Sequence, residues 1–286
     1  MTLVWRAGEF PARPLSSDFR LKRAPAFACA GVLAALNAQA DLIINALTWQ
    51  KPLEALTTLG GIAAVIWIAM YAALMLGFEE SHRRIERKDA LVLALVIGLC
   101  LLPLSYAAQA GLLLCGGYLF ATSRTGDTSR RISIILLALT GPLIWGRIVL
   151  QLFATPLLWL DAHIAGAAAG THVQGNMVQF ADTSRNFLIG TQCSSVHNMS
   201  LAVVLWTTAA ALFNLRIDRG FVVAGAGMVA LMFGLNILRL TLMAIFPANF
   251  EWLHAGLGAD LFGWAGLAGA ALLAALGVTS AARRQR

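Results

Sequence analysis

The sequence predicts an all-α membrane protein that crosses the bilayer several times. Of its 286 residues, 59% are hydrophobic and only 12% are charged, whereas about one quarter of the residues in a soluble domain are charged. The apolar residues fall into runs of about 20, the length of helix that crosses a hydrocarbon core of about 30 Å. Such helices satisfy their own backbone hydrogen bonds, which an open sheet in lipid cannot do.

Eight apolar segments mark the expected spans. The third and fourth are short and meet near Pro103, so they are either two spans or one re-entrant pair. We divide the chain into residues 1–131, a cytoplasmic arm with the first four spans, and residues 132–286, a membrane core with the candidate catalytic residues. The expected spans are residues 25–47, 54–78, 90–104, 106–121, 132–155, 196–214, 220–246 and 260–281.

Basic residues predict the orientation, because loops rich in Lys and Arg remain in the cytoplasm. Five segments hold 17 of the 21 Lys and Arg residues, and eight spans place all five on one side. We therefore expect both termini in the cytoplasm, in an inner-membrane protein whose segments 156–193 and 247–259 face outward. The net charge of +7 then reflects topology and contact with membrane lipids, and we expect no nucleic-acid partner. The five basic segments are residues 6–23, 83–88, 124–131, 216–219 and 283–286.

Residues 171–192 are expected to form a short polar structure at the outer membrane surface. Polar residues such as Asn176 alternate roughly with apolar ones such as Val178, a pattern typical of a hairpin or an extended stretch. This segment leads directly into Cys193, which we expect to begin the sixth span.

Cys193 is the candidate nucleophile. The other three cysteines lie inside apolar spans without polar companions, and we expect them to be packing residues. At the start of a helix, by contrast, backbone N–H groups and the helix dipole stabilise a thiolate. Gln192, Ser194 and Ser195 add hydrogen-bonding groups around the sulfur.

Arg239 is the second candidate, because it lies in the outer half of the seventh span, at a depth close to that of Cys193. A charged residue inside a span costs about 2.5–3.5 kcal/mol on insertion scales and is therefore a candidate for function. Its guanidinium can hold a thiolate or donate hydrogen bonds to an oxyanion. Asn236, one turn earlier on the same helical face, could orient it.

A histidine would complete the site as a proton shuttle, since its side chain titrates near neutral pH. His254 follows the seventh span on the outer side. His197 competes with it, because four residues separate it from Cys193 on what we expect to be one helical face. The histidines and cysteines show no metal-binding spacing, so we expect neither a metal nor another cofactor.

Together these residues resemble the exosortase/archaeosortase family of polytopic cysteine transpeptidases. The likeness covers residues 132–270. It implies a Cys–Arg–His site on the outer face that cleaves membrane-tethered proteins carrying a C-terminal sorting signal of the PEP-CTERM kind. Cys193 would form a thioester, Arg239 would stabilise the oxyanion, and His254 would protonate the leaving amine. The matching motifs are Leu150-Gln151, Gly175-Asn176, Cys193-Ser194-Ser195, Asn236-Ile237-Leu238-Arg239 and Gly263-Trp264.

Two positions depart from the family pattern. Many exosortases have glycine where this chain has Ser195, which changes the turn after the nucleophile. The family histidine often lies only a few residues before the Gly-Trp pair, whereas His254 lies nine residues before Gly263. His197 or Asp260 is therefore the alternative proton carrier.

The sequence also offers motifs of two other functions. Residues 79–84 and 250–254 fit the EExxxR and FxxxH motifs of CAAX-processing membrane proteases, but we expect them on opposite faces of the membrane. Asn37, Asp41 and Asn45 share a helical face in the first span, which we interpret as a polar seam between helices. The halves of the chain show no internal repeat of the kind found in transporters. A multi-pass transporter or a non-enzymatic scaffold is the alternative hypothesis.

Overall fold

The computed structural model describes residues 22–49, 59–79 and 83–284, most of which are helical. The predicted arm before Lys22, the start of the second span and the last two residues lie outside this range. A π-helical turn, Gly141–Trp145, joins the helix Thr128–Thr140 to the helix Gly146–Ala169. The helices are α1 (Arg23–Asn37), α2 (Ala40–Trp49), α3 (Ala64–Phe78), α4 (Arg87–Leu101), α5 (Ser105–Thr122), α6 (Thr128–Thr140), α7 (Gly146–Ala169), α8 (Ser195–Leu212), α9 (Arg219–Ile245), α10 (Phe250–His254) and α11 (Leu257–Arg284).

Several of these helices are suited to a membrane. Four described stretches are long and apolar enough to cross one: Thr128–Ala169, Ser195–Leu212, Arg219–Ile245 and Leu257–Ala281. Helices α1 and α2 are bent by 56° and add a fifth if they form one span. These lengths agree with the prediction of a helical membrane protein, and the number of eight spans stays a prediction.

Helix α7 differs from its predicted span, which ended at residue 155. The helix continues to Ala169 although Pro156 lies inside it. Proline lacks an N–H and its ring crowds the preceding turn, and the distortion appears at Phe153, whose φ is −124° and ψ is 23°. Residues 156–169 are therefore helical, so the predicted end of the helix at residue 155 is wrong, and the side of the membrane on which these residues lie stays a prediction. Gly170, with a left-handed φ of 67°, ends the helix.

A small antiparallel sheet follows α7 and confirms the predicted extended stretch. Gly175 and Asn176 form the turn between its first two strands, and the φ of Gly175 is 63°, a conformation that favours glycine in tight hairpins. Val178 and Phe187 pair across the second and third strands, and both are buried. The strands are β1 (Val173–Gln174), β2 (Met177–Gln179) and β3 (Asn186–Leu188).

The apolar interior has two parts. The larger cluster includes Phe27 of α1, Ile135 of α6 and Met228 of α9, and it holds most of the bundle together. The smaller one lies beneath the sheet, where Leu158 of α7 and Leu240 of α9 pack with the strands and with Cys193. The sheet, α7 and α9 thus position the segment that carries the candidate nucleophile.

Basic segments meet at the other end of the bundle. The Arg23 N–H donates to the Arg83 carbonyl at 3.1 Å, and Arg83 Nη1 donates to the Thr122 carbonyl at 3.1 Å. Arg131 Nε donates to a carbonyl at the C-terminus of α8, at 2.6 Å. Since α8 has 18 residues, this end lies about 27 Å from its start beside Cys193. These contacts bring together three of the five basic segments, and the predictions that all five share a side and that this side is cytoplasmic stay untested.

Candidate functional site

Cys193 ends the 3-10 turn Thr191–Cys193, between the sheet and α8. The residue is only 7% exposed. The helix begins at Ser195, with Ser194 as its N-cap, whose hydroxyl accepts from the Val196 N–H at 3.3 Å. The expectation that Cys193 itself begins the helix is therefore wrong, because Ser194 has extended backbone with ψ of 141°.

Because Ser194 is extended, Cys193 and His197 do not lie on one continuous helix. Residues four apart share a face only within a continuous helix, and here the helix starts after Cys193. The helical spacing that we used to place His197 against the sulfur is therefore wrong. Gln192, another predicted supporting residue, is exposed.

The sheet fixes the chain that enters the site. The Asn176 side chain donates from Nδ2 to the Ile189 carbonyl at 2.9 Å, and the Ile189 N–H donates to the Asn176 carbonyl at 2.9 Å. In the β2–β3 loop, hydrogen bonds from the side chain and backbone of Ser184 hold the pKa of Asp182 below its usual value. Asn176, part of a motif in the resemblance, thus anchors the strand that leads to Cys193.

Asn236 of α9 holds the Cys193 segment from below. It is 3% exposed, and its Nδ2 donates to the Cys193 carbonyl at 2.9 Å and to Ser195 Oγ at 3.3 Å. Its Oδ1 accepts from Asn198 Nδ2 at 3.3 Å. We predicted that Asn236 orients Arg239, but its hydrogen bonds in the described structure go to the Cys193 segment and Asn198 instead.

Asp161 of α7 is a site residue that the sequence reasoning missed. The residue is 3% exposed, and its carboxylate accepts from the Ser195 N–H at 3.0 Å and from the Ser195 hydroxyl at 2.6 Å. The missed signal was an acidic residue in the apolar run around Leu160, because an ionisable group in a membrane helix is costly. We had assigned that run to an outer loop.

Arg239 lines a cavity of about 120 Å³ between α8, α9 and α11. Asn198, Asn236 and Gly263 also line it. The buried Arg239 Nε has no hydrogen-bond partner within the described ranges. Arg239 follows Asn236 by one turn, which places it about 4.5 Å closer to the sheet end of the bundle. No hydrogen bond joins it to Cys193 in the part of the chain that the structure describes, and Cys193 does not line this cavity.

A larger cavity of about 830 Å³ adjoins the first and shares Asn198 and Gly263 with it. Its lining is mostly apolar, and it includes His197, Asp260 and Trp264. Two of the three candidate proton carriers therefore face a space next to the Arg239 cavity.

His254 lies at the same end but in different surroundings. It is exposed, as His197 also is, and its ring stacks on Phe250 with centroids 5.2 Å apart. Phe250 in turn packs on Phe180 and Phe187 beside the sheet, at 5.6 Å and 5.5 Å. His254 lines neither of the two cavities.

The residues behind the other two hypotheses contact other parts of the bundle. Glu79 accepts from Arg131 Nη1 at 3.2 Å at the basic end, far from His254, which supports rejecting a CAAX-type site. Asn37 Nδ2 donates to the Cys100 carbonyl, and Asp41 Oδ2 accepts from the Ser105 hydroxyl at 3.0 Å. Both groups thus contact neighbouring helices, as expected for a polar seam.

Comparison of the chain with protein-family models, with curated proteins and with solved structures finds no match. Within residues 22–49, 59–79 and 83–284, no group of three or more His, Cys, Asp and Glu side chains is arranged to hold a metal ion.

Proposed function

We propose that the chain is a membrane-embedded cysteine protease or transpeptidase of the exosortase kind, with Cys193 as its nucleophile. One observation carries this proposal. Two helices hold the short Cys193–Ser195 segment through buried hydrogen bonds, next to a cavity that contains an arginine with an unpaired Nε. A merely packed cysteine needs neither an anchored backbone nor a neighbouring cation.

The reaction follows from the thiol. The Cys193 sulfur attacks a backbone carbonyl of the substrate, forming a C–S bond as the thiol proton passes to a base. The negative charge that develops on the carbonyl oxygen needs preorganised donors, and Arg239 is proposed to supply them. When the C–N bond breaks, the amine leaves with the proton and a thioester remains on Cys193. An acceptor hydroxyl, amine or water then releases the product and restores the thiol.

We assign the proton transfer to His197 because it faces the cavity next to that of Arg239. Asp260 lines the same cavity and is proposed to orient the imidazole or the substrate. His254 is the residue that the family resemblance implies, and its stacking on Phe250 at the surface gives it less access to either cavity. Replacing each histidine separately by alanine distinguishes the two, since only the proton carrier should be needed for turnover.

The proposed substrates are membrane-tethered proteins with a C-terminal sorting signal, as the resemblance implies. In this proposal the chain resides in the inner membrane with Cys193 on the outer side. The exposed apolar side chains of its helices, such as Trp67 and Leu276, then face membrane lipids.

Mass spectrometry of the C-termini of envelope proteins tests this function. Cells with the wild-type gene should contain proteins shortened at a defined bond, and cells with Cys193→Ala should contain them uncut. Cys115→Ala is the matched control, because Cys115 is also buried but donates from its thiol to the Phe27 carbonyl at 3.4 Å in the main bundle. Normal processing by an inserted Cys193→Ala protein would refute the proposal and favour a transporter or scaffold.

A further inference from the structure

Asp161 has a role that neither the resemblance nor the proposed chemistry assigns. It is an acidic residue in a helix of the membrane core, it is 3% exposed, and no cation contacts its carboxylate in an ion pair among the described residues. A buried carboxylate with neutral partners is costly unless its acceptor sites are used. Here both oxygens are used, and by a single residue, Ser195.

The contacts form a directed chain of donors and acceptors. Asn198 donates to Asn236, Asn236 donates to Ser195 Oγ, and the Ser195 hydroxyl donates to Asp161 Oδ1. In each of these contacts the donor of one residue meets an acceptor of the next. The Asn236 amide that donates to Ser195 also donates to the Cys193 carbonyl. The chain therefore runs from the lining of the Arg239 cavity, past the Cys193 backbone, to Asp161.

These contacts add to the ordinary helix cap of α8. The first N–H groups of a helix have no partner within the helix, and usually a nearby side chain of the same segment accepts them. In α8 the Ser194 hydroxyl accepts from Val196 in this way, but the Ser195 N–H is taken by Asp161 from another helix. The start of α8, and Cys193 with it, is thereby tied to α7.

We propose that Asp161 is a positioning residue that fixes the Cys193 segment, and that Ser195 is its contact. The serine at position 195 is the point at which this chain departs from the glycine of the family pattern. A glycine would keep the N–H contact with Asp161 and lose the 2.6 Å contact from the hydroxyl. In this protein the acid and the hydroxyl thus act as a pair. The effect on turnover rests on the proposed function, whereas the effect on the thiol does not.

Two readouts test the pair in full-length protein whose other three cysteines are replaced by alanine. Alkylation of Cys193 by iodoacetamide reports how well the segment is held, and kcat and KM with a tagged substrate report its use. Asp161→Asn should raise the alkylation rate and lower kcat, each by about tenfold, since losing a partner of a buried polar group has effects of this size. KM should stay the same, because Asp161 does not line either cavity.

Asp182→Asn is the matched control. Asp182 accepts from the Ser184 N–H at 3.0 Å and from the Ser184 hydroxyl at 2.6 Å, the same pair of contacts in the exposed β2–β3 loop. This variant should leave alkylation and kcat unchanged. Ser195→Thr, which retains a hydroxyl, should keep more activity than Ser195→Ala.

A double-variant cycle separates positioning from general destabilisation. Ser195→Ala alone should change both readouts, and in the Asp161→Asn background it should add little, because the hydrogen bond is already disrupted. Ser195→Ala also covers the case in which Asp161→Asn does not fold. Fully additive effects, or unchanged alkylation and kcat in both single variants, would overturn the pairing. Wild-type protein could fail to process any substrate while the effects of the two substitutions on alkylation are still non-additive. In that case the proposed function fails and the positioning role stands.

Discussion

The two ends of the bundle both bury polar groups, but they use them differently. At the basic end, Arg23 is 0% and Asp89 is 1% exposed, and Arg23 Nε contacts Asp89 Oδ1 at 2.9 Å. Ser123 accepts from Arg23 Nη1 at 3.1 Å, and the Tyr118 hydroxyl donates to Asp89 at 3.0 Å. The two opposite charges are thus paired, and neighbouring polar groups form further hydrogen bonds with both side chains.

At the Cys193 end the buried groups are not paired by charge. Asp161 and Asn236 have neutral partners, and the buried Nε of Arg239 has none in the described chain. Because buried polar groups are nearly always satisfied, an exception beside a cavity is the place where a ligand can bind. The comparison teaches that buried polarity alone does not mark a site, whereas polarity left unpaired next to open space does.

The largest effect on stability should come from removing the ion pair at the basic end. Arg23→Ala leaves Asp89 buried without its cation, and such a loss costs about 3–5 kcal/mol of stability. Thermal unfolding in detergent should show a much lower midpoint for this variant. A midpoint close to that of wild type would mean that the basic end does not depend on the ion pair.

Arg239→Ala, at the Cys193 end, should reduce activity and leave stability nearly unchanged. Processing should fall by about 100- to 1,000-fold, the effect of losing an oxyanion donor, while the unfolding midpoint changes little because no hydrogen bond to its Nε is lost. Arg185→Ala, an exposed arginine in the β2–β3 loop, is the control and should process normally. Equal processing by the two variants would remove Arg239 from the mechanism.

Filling the Arg239 cavity should have a smaller effect. Gly263 lines the cavity and a Cβ added there meets no atom within 4 Å, so Gly263→Leu is expected to extend into the cavity. We expect about a tenfold loss of processing, equivalent to about 1.4 kcal/mol, with stability retained. Gly227→Leu is the control, because a Cβ there also meets no atom but the residue lines neither cavity. If Gly263→Leu processes as well as Gly227→Leu, substrate does not use this cavity.

The lengths of the apolar runs predicted the helices because lipid imposes strong constraints on length and polarity. The expected spans at 196–214 and 220–246 differ from α8 and α9 by only one or two residues at each end. The end of α7 could not be predicted in this way, since Pro156 is tolerated when the distortion is absorbed at Phe153. Asp161 was missed because it lies beyond residue 155, where we expected the span to end.

The candidate site was predicted in part. Cys193 and Asn236 come together as contacts between neighbouring helices, although the amide binds the backbone of the cysteine and not Arg239. The prediction that His197 shares a helical face with Cys193 is wrong, because the extended residue Ser194 precedes the helix and Cys193 lies before it. Local spacing cannot reveal such a break, nor which hydrogen-bond partner another helix provides.

The central claim is that the Cys193 sulfur and the Arg239 side chain lie close enough to act on the same substrate carbonyl, although Cys193 itself does not line the Arg239 cavity. Cross-linking tests it directly, in a chain whose Cys29, Cys100 and Cys115 are replaced by alanine and which carries Arg239→Cys. A short bifunctional thiol reagent should link positions 193 and 239. Leu238→Cys, at a neighbouring residue that is 48% exposed, should not react with Cys193. A cross-link to position 238 with none to position 239 would contradict the shared site.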